Sequence, residues 1–258
     1  MADGEGPSFF EPGDGRRIAY HTLRPRGDGV NRPGVVFLGG FRSDMTGTKA
    51  LFLEDWAMRA GRGFLRLDYT GHGASSGDFL DGTIGAWARD AGDAIAALTE
   101  GPQILVGSSM GGWIALLLAR RMPERVAGLV GIAAAPDFTE DAMWDGFSAE
   151  QRQALARDGR IALPSDYSDE PYVITWALIE DGRENLVLRA PLDLPFPARF
   201  LHGTADEDVA MSVPLRLLEH VTGPDLRMTF VKDADHRFST PELLELIAAT
   251  VEEVGARA

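Results

Sequence analysis

The run Gln103-Ile-Leu-Val-Gly107-Ser-Ser109-Met-Gly111-Gly-Trp-Ile114 decides how the rest of this 258-residue chain is read. Ile104-Leu105-Val106 is a compact apolar run of the kind carried by a strand buried on both faces. Met110–Arg121 has the apolar spacing of a helix. Between them stands Gly107-x-Ser109-x-Gly111. As a bare pattern that is a weak signal, and an ordinary glycine-rich turn would show the same residues. Placed between strand and helix, it has the setting of a nucleophile elbow, in which a serine is held in a strained backbone conformation. Small residues at Gly107 and Gly111 let the chain pass. The helix N-terminus after Ser109 favours negative charge developing there.

Working outward, short apolar strands alternate with longer helical patterns. Strands are expected at Arg17–Leu23, Gly34–Gly39, Gly63–Asp68, Gln103–Gly107, Val126–Ala133, Ala198–His202 and Leu226–Val231. Helices are expected at Lys49–Ala60, Thr83–Leu98, Met110–Arg121, Met211–His220 and Pro241–Val254. This alternation predicts a mainly parallel sheet with helices on both faces. It breaks between Pro136 and Pro197, a stretch rich in Asp, Glu and Pro that also carries Trp144, Phe147, Tyr167, Tyr172 and Trp176. Sixty structureless residues are uncommon in a compact domain. A small cap over 136–197 is therefore expected, packed on the sheet edge of a single domain spanning 1–258, with a helix within Glu170–Leu186.

A serine hydroxyl is a weak nucleophile and needs a base. Five histidines exist. His21 lies in an early strand, His72 in a turn, His202 at a strand end and His220 at a helix end. His236, in Lys232-Asp-Ala-Asp-His-Arg237 after the last strand, alone fits the chain order nucleophile, acid, histidine. A carboxylate must orient that base. Asp206 stands in the loop after His202-Gly-Thr-Ala, at the strand edge where catalytic groups gather in open α/β sheets. Glu207 and Asp208 are its neighbouring alternatives, and Asp137 a remote one. An oxyanion site needs backbone N–H donors. Met110 supplies one, and Phe41, in the loop Gly39-Gly-Phe-Arg-Ser43, is expected to supply the other. Gly40, Arg42, Trp144 and Trp176 are the candidate substrate contacts, with Ser43 and Phe147 beside them. Aromatic residues of an insertion serve as often as its own core.

Composition narrows the field. With 39 acidic and 25 basic residues the formal charge is -14, which opposes nucleic acid and anionic membranes as partners. The chain has no cysteine, so disulfides, thiolate metal sites and cysteine nucleophiles are excluded. No apolar run is long enough to span a bilayer. No dinucleotide fingerprint, Walker loop or H-E-x-x-H motif is present, and no cofactor or metal is expected. Met1–Glu11 has neither the apolar core of a secretory signal nor the arginines of a transit peptide, so a cytoplasmic protein is expected. Oligomeric state leaves no mark in the sequence.

The order Gly39-Gly-Phe41, Ser109, Asp206, His236 resembles the α/β-hydrolase fold along nearly the whole chain. Asp68-Tyr-Thr-Gly-His-Gly73 with Ser75 is similar to the turn after that fold's fourth strand. Narrower matches are Asp44-Met-Thr-Gly-Thr-Lys-Ala50, Gly101–Ser109 with Met110-Gly-Gly-Trp113, and Leu163-Pro-Ser-Asp-Tyr-Ser168. They resemble the mitochondrial palmitoyl-protein thioesterase and acyl-glucuronide esterase branch. Gly39-Gly-Phe41 departs from the proline–glycine pair of the animal members, as expected of a bacterial relative. The resemblance implies a mostly parallel eight-stranded sheet and a serine hydrolase of acyl esters or thioesters. Peptidase, lactonase and carbon–carbon bond hydrolysis use the same triad and stay open, as does a non-catalytic, ligand-binding homologue. Chemistries that need an aspartate nucleophile are opposed by Ser109.

Overall fold

The computed structural model describes residues 6–163 and 171–258. Its first half runs β1 (Ser8–Phe10), β2 (Ile18–Leu23), β3 (Gly34–Leu38), α1 (Thr48–Arg59), β4 (Phe64–Leu67), α2 (Ile84–Leu98), β5 (Gln103–Ser108), α3 (Met110–Arg121) and β6 (Val126–Ile132). There follow α4 (Ala149–Asp158), β7 (Arg160–Leu163), β8 (Tyr172–Thr175), α5 (Trp176–Glu184) and β9 (Leu192–Asp193). The chain ends with β10 (Ala198–Gly203), α6 (Ser212–His220), β11 (Val221–Thr222), β12 (Leu226–Val231) and α7 (Pro241–Gly255).

Eight strands form one sheet in the order β1-β2-β4-β3-β5-β6-β10-β12. At one edge β2 runs antiparallel to both of its neighbours, β1 and β4, and the remaining neighbours pair in parallel. Seven of these strands are those expected from the apolar runs. The eighth, β1, is three residues long, too short to show a period, and is defined by its register of Ser8 on Tyr20 and Phe10 on Ile18.

The central strands are buried on both faces, and alternate residues serve different layers. Val36, Leu38 and Leu105 face the layer of α2 and α3, with Trp87, Trp113 and Leu117. Val35, Phe37, Ile104 and Val106 face the layer of α1 and α7, with Leu53, Ile247 and Val251. Each such aliphatic or aromatic side chain contributes about 1.5–3 kcal/mol on burial, which is what fixes the strand register. The buried indoles keep their polar edge satisfied: Trp87 Nε1 donates to Thr70 O at 3.0 Å and Trp113 Nε1 to Asn185 O at 3.0 Å.

Between β6 and β10 the chain makes the expected excursion, and it has elements of its own. A single π-helical turn spans Thr139–Trp144. α4 begins at a capping box of Ser148 with Gln151 and ends at Gly159 in the left-handed conformation. β7 and β8 pair antiparallel. The helix expected within Glu170–Leu186 starts only at Trp176, because Tyr172–Thr175 is spent on β8 and Thr175 caps α5 through its hydroxyl. Tyr167 and the Pro164–Ser168 part of the sequence motif lie outside the described residues. The excursion is fastened by Asp137. Its buried carboxylate accepts from Val187 N at 2.8 Å, from Leu188 N at 3.0 Å and from Arg189 at 3.1 Å. Among the described residues no helix is long and apolar enough to cross a membrane.

Candidate active site

Ser109 is the residue between β5 and α3, and its backbone sits at φ 55°, ψ -119°. That region costs a non-glycine residue about 1–3 kcal/mol and persists only where surroundings enforce it. Here Ser109 N donates to Ile132 O at 2.9 Å, and Ser109 O accepts from Gly112 N at 2.9 Å and Ala135 N at 3.1 Å. The flanking residues leave no room for side chains. A Cβ on Gly107 would stand 2.3 Å from Gly111 O, and one on Gly111 would stand 2.0 Å from Leu38 O. The small residues demanded by the sequence pattern are thus demanded by backbone contact.

His236, in the loop after β12, reaches back to this turn. Its Nε2 lies 3.1 Å from Ser109 Oγ, and its Nδ1 lies 2.9 Å and 3.1 Å from the two oxygens of Asp206. An ionised carboxylate can only accept, so Nδ1 carries the proton and donates to Asp206. That leaves Nε2 as the acceptor for the serine hydroxyl.

Asp206, in the loop after β10, has a buried side chain. It also accepts from Val209 N at 2.8 Å and Asp208 N at 3.0 Å. Burial alone would raise its pKa; the hydrogen bonds from His236 and Val209 N outweigh burial and hold the carboxyl below the usual carboxylate range. Behind it, buried His202 donates from Nε2 to Val209 O at 3.1 Å. Burial pushes the His202 imidazole below the usual histidine range, so it stands neutral beside the Asp206 loop.

The other candidates separate cleanly. Asp137 is committed to the excursion through Val187, Leu188 and Arg189, and the carboxylate bonded to His236 is Asp206. His72 packs among Tyr69, Phe79 and Trp87. His220 bonds Ala190 O at the end of α6. Asp206, Asp208 and His236 bring one potential ligand atom each within 4.8 Å of one another. Two of the three are already hydrogen-bonded to each other, a poor starting point for a cation.

A cavity of about 810 Å³ opens over Ser109 and His236, in the size range of small-molecule sites. The loop after β3 forms one side through Gly40, Phe41 and Arg42. This loop is held from below by Asp68, which accepts from Met45 N at 2.6 Å and Ala74 N at 2.8 Å. Gly40 lies against the serine: a Cβ there would stand 3.4 Å from Ser109 Cβ. Phe41 is the hub of an aromatic group, with Phe79, Trp87, Phe138 and Tyr172 at ring-centroid distances of 5.0–6.4 Å. The excursion adds Phe138, Met143, Phe147, Leu163 and Ile174 to the lining.

Gly40, Arg42, Ser43 and Phe147 therefore face the cavity as expected, and Trp144 and Trp176 do not. Those two indoles pack edge to face at 5.6 Å, with the Arg183 guanidinium 4.5 Å from the Trp144 ring. They are half-buried and pack against the hydrophobic core, outside the lining of the cavity where substrate contact was expected of them. Lys49, Met143 and Arg237 line the cavity and were missed. For Met143 a signal existed. It lies four residues before Phe147, on the same helical face, and Phe147 N donates to Met143 O at 3.1 Å. Trp144, one residue round the turn, faces away.

The alpha/beta hydrolase family model matches residues 35–249. The mitochondrial palmitoyl-protein thioesterase ABHD10 of Rattus norvegicus is 33% identical over 248 residues, covering 96% of this chain and 82% of the relative. Among solved structures, alpha/beta hydrolase domain-containing protein 10 from mouse superposes with a TM-score of 0.87 at 32% identity, covering 96% of this chain and 98% of that one. A protein from Agrobacterium vitis S4 superposes with a TM-score of 0.90 at 41% identity, covering 97% of this chain and 98% of that one. With the sheet order, the turn at Ser109 and these likenesses in agreement, the chain belongs to the α/β-hydrolase family.

Proposed function

We propose that the chain hydrolyses carboxylic esters and thioesters of small-molecule substrates through an acyl-enzyme on Ser109. The observation that carries this reading is the continuous line of hydrogen bonds from Ser109 Oγ to His236 Nε2 and from His236 Nδ1 to Asp206. Ser109 Oγ attacks the carbonyl carbon as its proton passes to Nε2. Asp206 stabilises the imidazolium that forms. The oxyanion is received by the N–H of Met110, first residue of α3 and free of an intrahelical acceptor, and by the N–H of Phe41. When the carbon–oxygen or carbon–sulfur bond breaks, Nε2 returns the proton to the leaving atom. Water then gives a proton to Nε2 and attacks the acyl-enzyme, releasing the acid and restoring the serine hydroxyl. The thioesterase named among the relatives supports acyl transfer. The apolar wall from 136–197 acts as a cap over the acyl chain.

A fluorophosphonate probe tests the reading. Wild-type protein is expected to take one covalent adduct, Ser109→Ala none, and His236→Ala to lose at least a thousandfold in labelling rate. A folded protein that takes no adduct and turns over no p-nitrophenyl ester or acyl thioester overturns it.

A further inference from the structure

Charge is distributed unevenly between the cavity and the whole chain. Acidic residues outnumber basic ones 39 to 25 overall. Among the described residues lining the cavity, Arg42, Lys49 and Arg237 face a single carboxylate, Asp208. Two of the cations are fixed in place. The Arg42 guanidinium lies 4.9 Å from the Tyr172 ring and 5.3 Å from the Phe79 ring, a clamp that limits its freedom before any ligand arrives. Its backbone is left-handed, at φ 58°, a conformation that glycine adopts without strain. Lys49 Nζ donates to Arg237 O, which places the ammonium beside the residue that follows His236.

The surroundings of Lys49 disfavour its own charge. Burial pushes its pKa down to about 8, with Arg237 pushing the same way and Asp235 opposing. Arg42, Arg237 and the carboxylate of Asp208 are the other charges sharing its cavity. A cation held where its charged form is penalised gains from an arriving anion. A smaller side chamber of about 200 Å³ shares Gly40, Ser43, Lys49, Ser108 and Arg237 with the main cavity and adds Thr48, Ser239 and one acidic residue, Asp44, so two cations meet one carboxylate there. The excursion makes its part of the lining apolar, Lys49 and Arg237 stand at the loop of His236, and Arg42 stands where the loop after β3 meets Tyr172 of the excursion.

We infer that Lys49, with Arg42 and Arg237, forms an anion subsite, and that the preferred substrates are acyl esters or thioesters whose leaving group carries a sulfonate, phosphate or carboxylate. The inference rests on the acyl-transfer reading for placing the acyl chain along the apolar wall. The cationic walls themselves are independent of it.

The test is binding of three hexyl thioethers that differ only in the terminal group: 2-sulfonatoethyl, 2-hydroxyethyl and 2-(trimethylammonio)ethyl. None has a carbonyl, so calorimetry on the wild-type protein reads the subsite whether or not Ser109 acylates. Failure of the catalytic reading shows instead in the fluorophosphonate experiment. The whole-molecule charge of -14 predicts that the ammonium binds tightest and the sulfonate weakest. The subsite predicts the reverse, with the sulfonate about tenfold tighter than the alcohol at low salt and the gap narrowing as salt is added. Lys49→Met and Arg42→Gln should each cut the sulfonate-to-alcohol affinity ratio at least about threefold, and the double variant should bring it near one. The ratio within each variant divides out general damage to the cavity. A sulfonate that binds no tighter than the alcohol, or not at all, overturns the inference, as does a ratio that neither substitution changes.

Discussion

Asp206→Asn isolates the charge that the site places behind its histidine. The amide is isosteric, and its oxygen can still accept from Val209 N and Asp208 N, which now lie 2.8 Å and 3.0 Å away. The fold of the loop is therefore expected to survive. What disappears is the negative charge that hydrogen-bonds His236 Nδ1 at 2.9 Å. With the two charge centres about 4 Å apart in a site of effective dielectric near 20, the carboxylate stabilises the imidazolium by about 4 kcal/mol. That corresponds to about a thousandfold in kcat/KM. A side-chain NH2 turned toward Nδ1 would also drive the histidine proton to Nε2, where it can no longer accept from Ser109, and would add roughly another tenfold. The expected loss in kcat/KM on a p-nitrophenyl ester is thus about 10³–10⁴-fold, with the melting temperature close to wild type.

The same substitution has a stability signature. The Asp206 carboxyl is held below its ordinary range in the folded protein. Its ionised form therefore stabilises the fold above the unfolded value near 3.9, and that contribution is lost as pH falls through the lower folded value. Asp206→Asn should remove this part of the acid limb in urea denaturation curves measured between about pH 2 and 5. A variant that folds normally yet keeps kcat/KM within tenfold of wild type would refute the reasoning. So would an equal loss from Asp208→Asn, which would move the orienting role to the neighbouring carboxylate.

Two further substitutions test the architecture around the serine. Gly111→Ala puts a methyl 2.0 Å from Leu38 O, a backbone atom that cannot swing away; a loss of at least about 3 kcal/mol and a melting point lower by roughly 6–12 °C are expected in a thermal scan. Ile174→Trp narrows the apolar wall and should cut turnover of the longest accepted acyl ester at least about tenfold relative to acetate, whereas Trp176→Leu, behind that wall, should leave the chain-length profile in place while lowering stability. Profiles that shift with Trp176 and not with Ile174 would reverse the assignment of the wall.

What the sequence disclosed depended on how directly each feature follows from local chemistry. The inner strands are buried on both faces, so they read as unbroken apolar runs such as Ile104-Leu105-Val106 and could be placed to within a residue or two. Ser109, Asp206 and His236 were legible because a parallel sheet delivers the ends of β5, β10 and β12 to one edge, whatever the loops between them do. β1 escaped notice because three residues carry no period, and its place is set by pairing with β2. The cavity lining was legible only in part, because it depends on the direction of each side chain more than on its type. Trp144 drew attention by its size, yet the turn that carries it points Met143 and Phe147 inward and leaves Trp144 against Trp176. Lys49 failed to draw attention for the converse reason, since a lysine in the first turn of an amphipathic helix ordinarily reads as a solvated surface group. The acidity of the chain is what makes that residue informative: against a charge of -14, an anionic substrate needs a local cation, and only the packing of α1 beside the loop of His236 shows which cations those are.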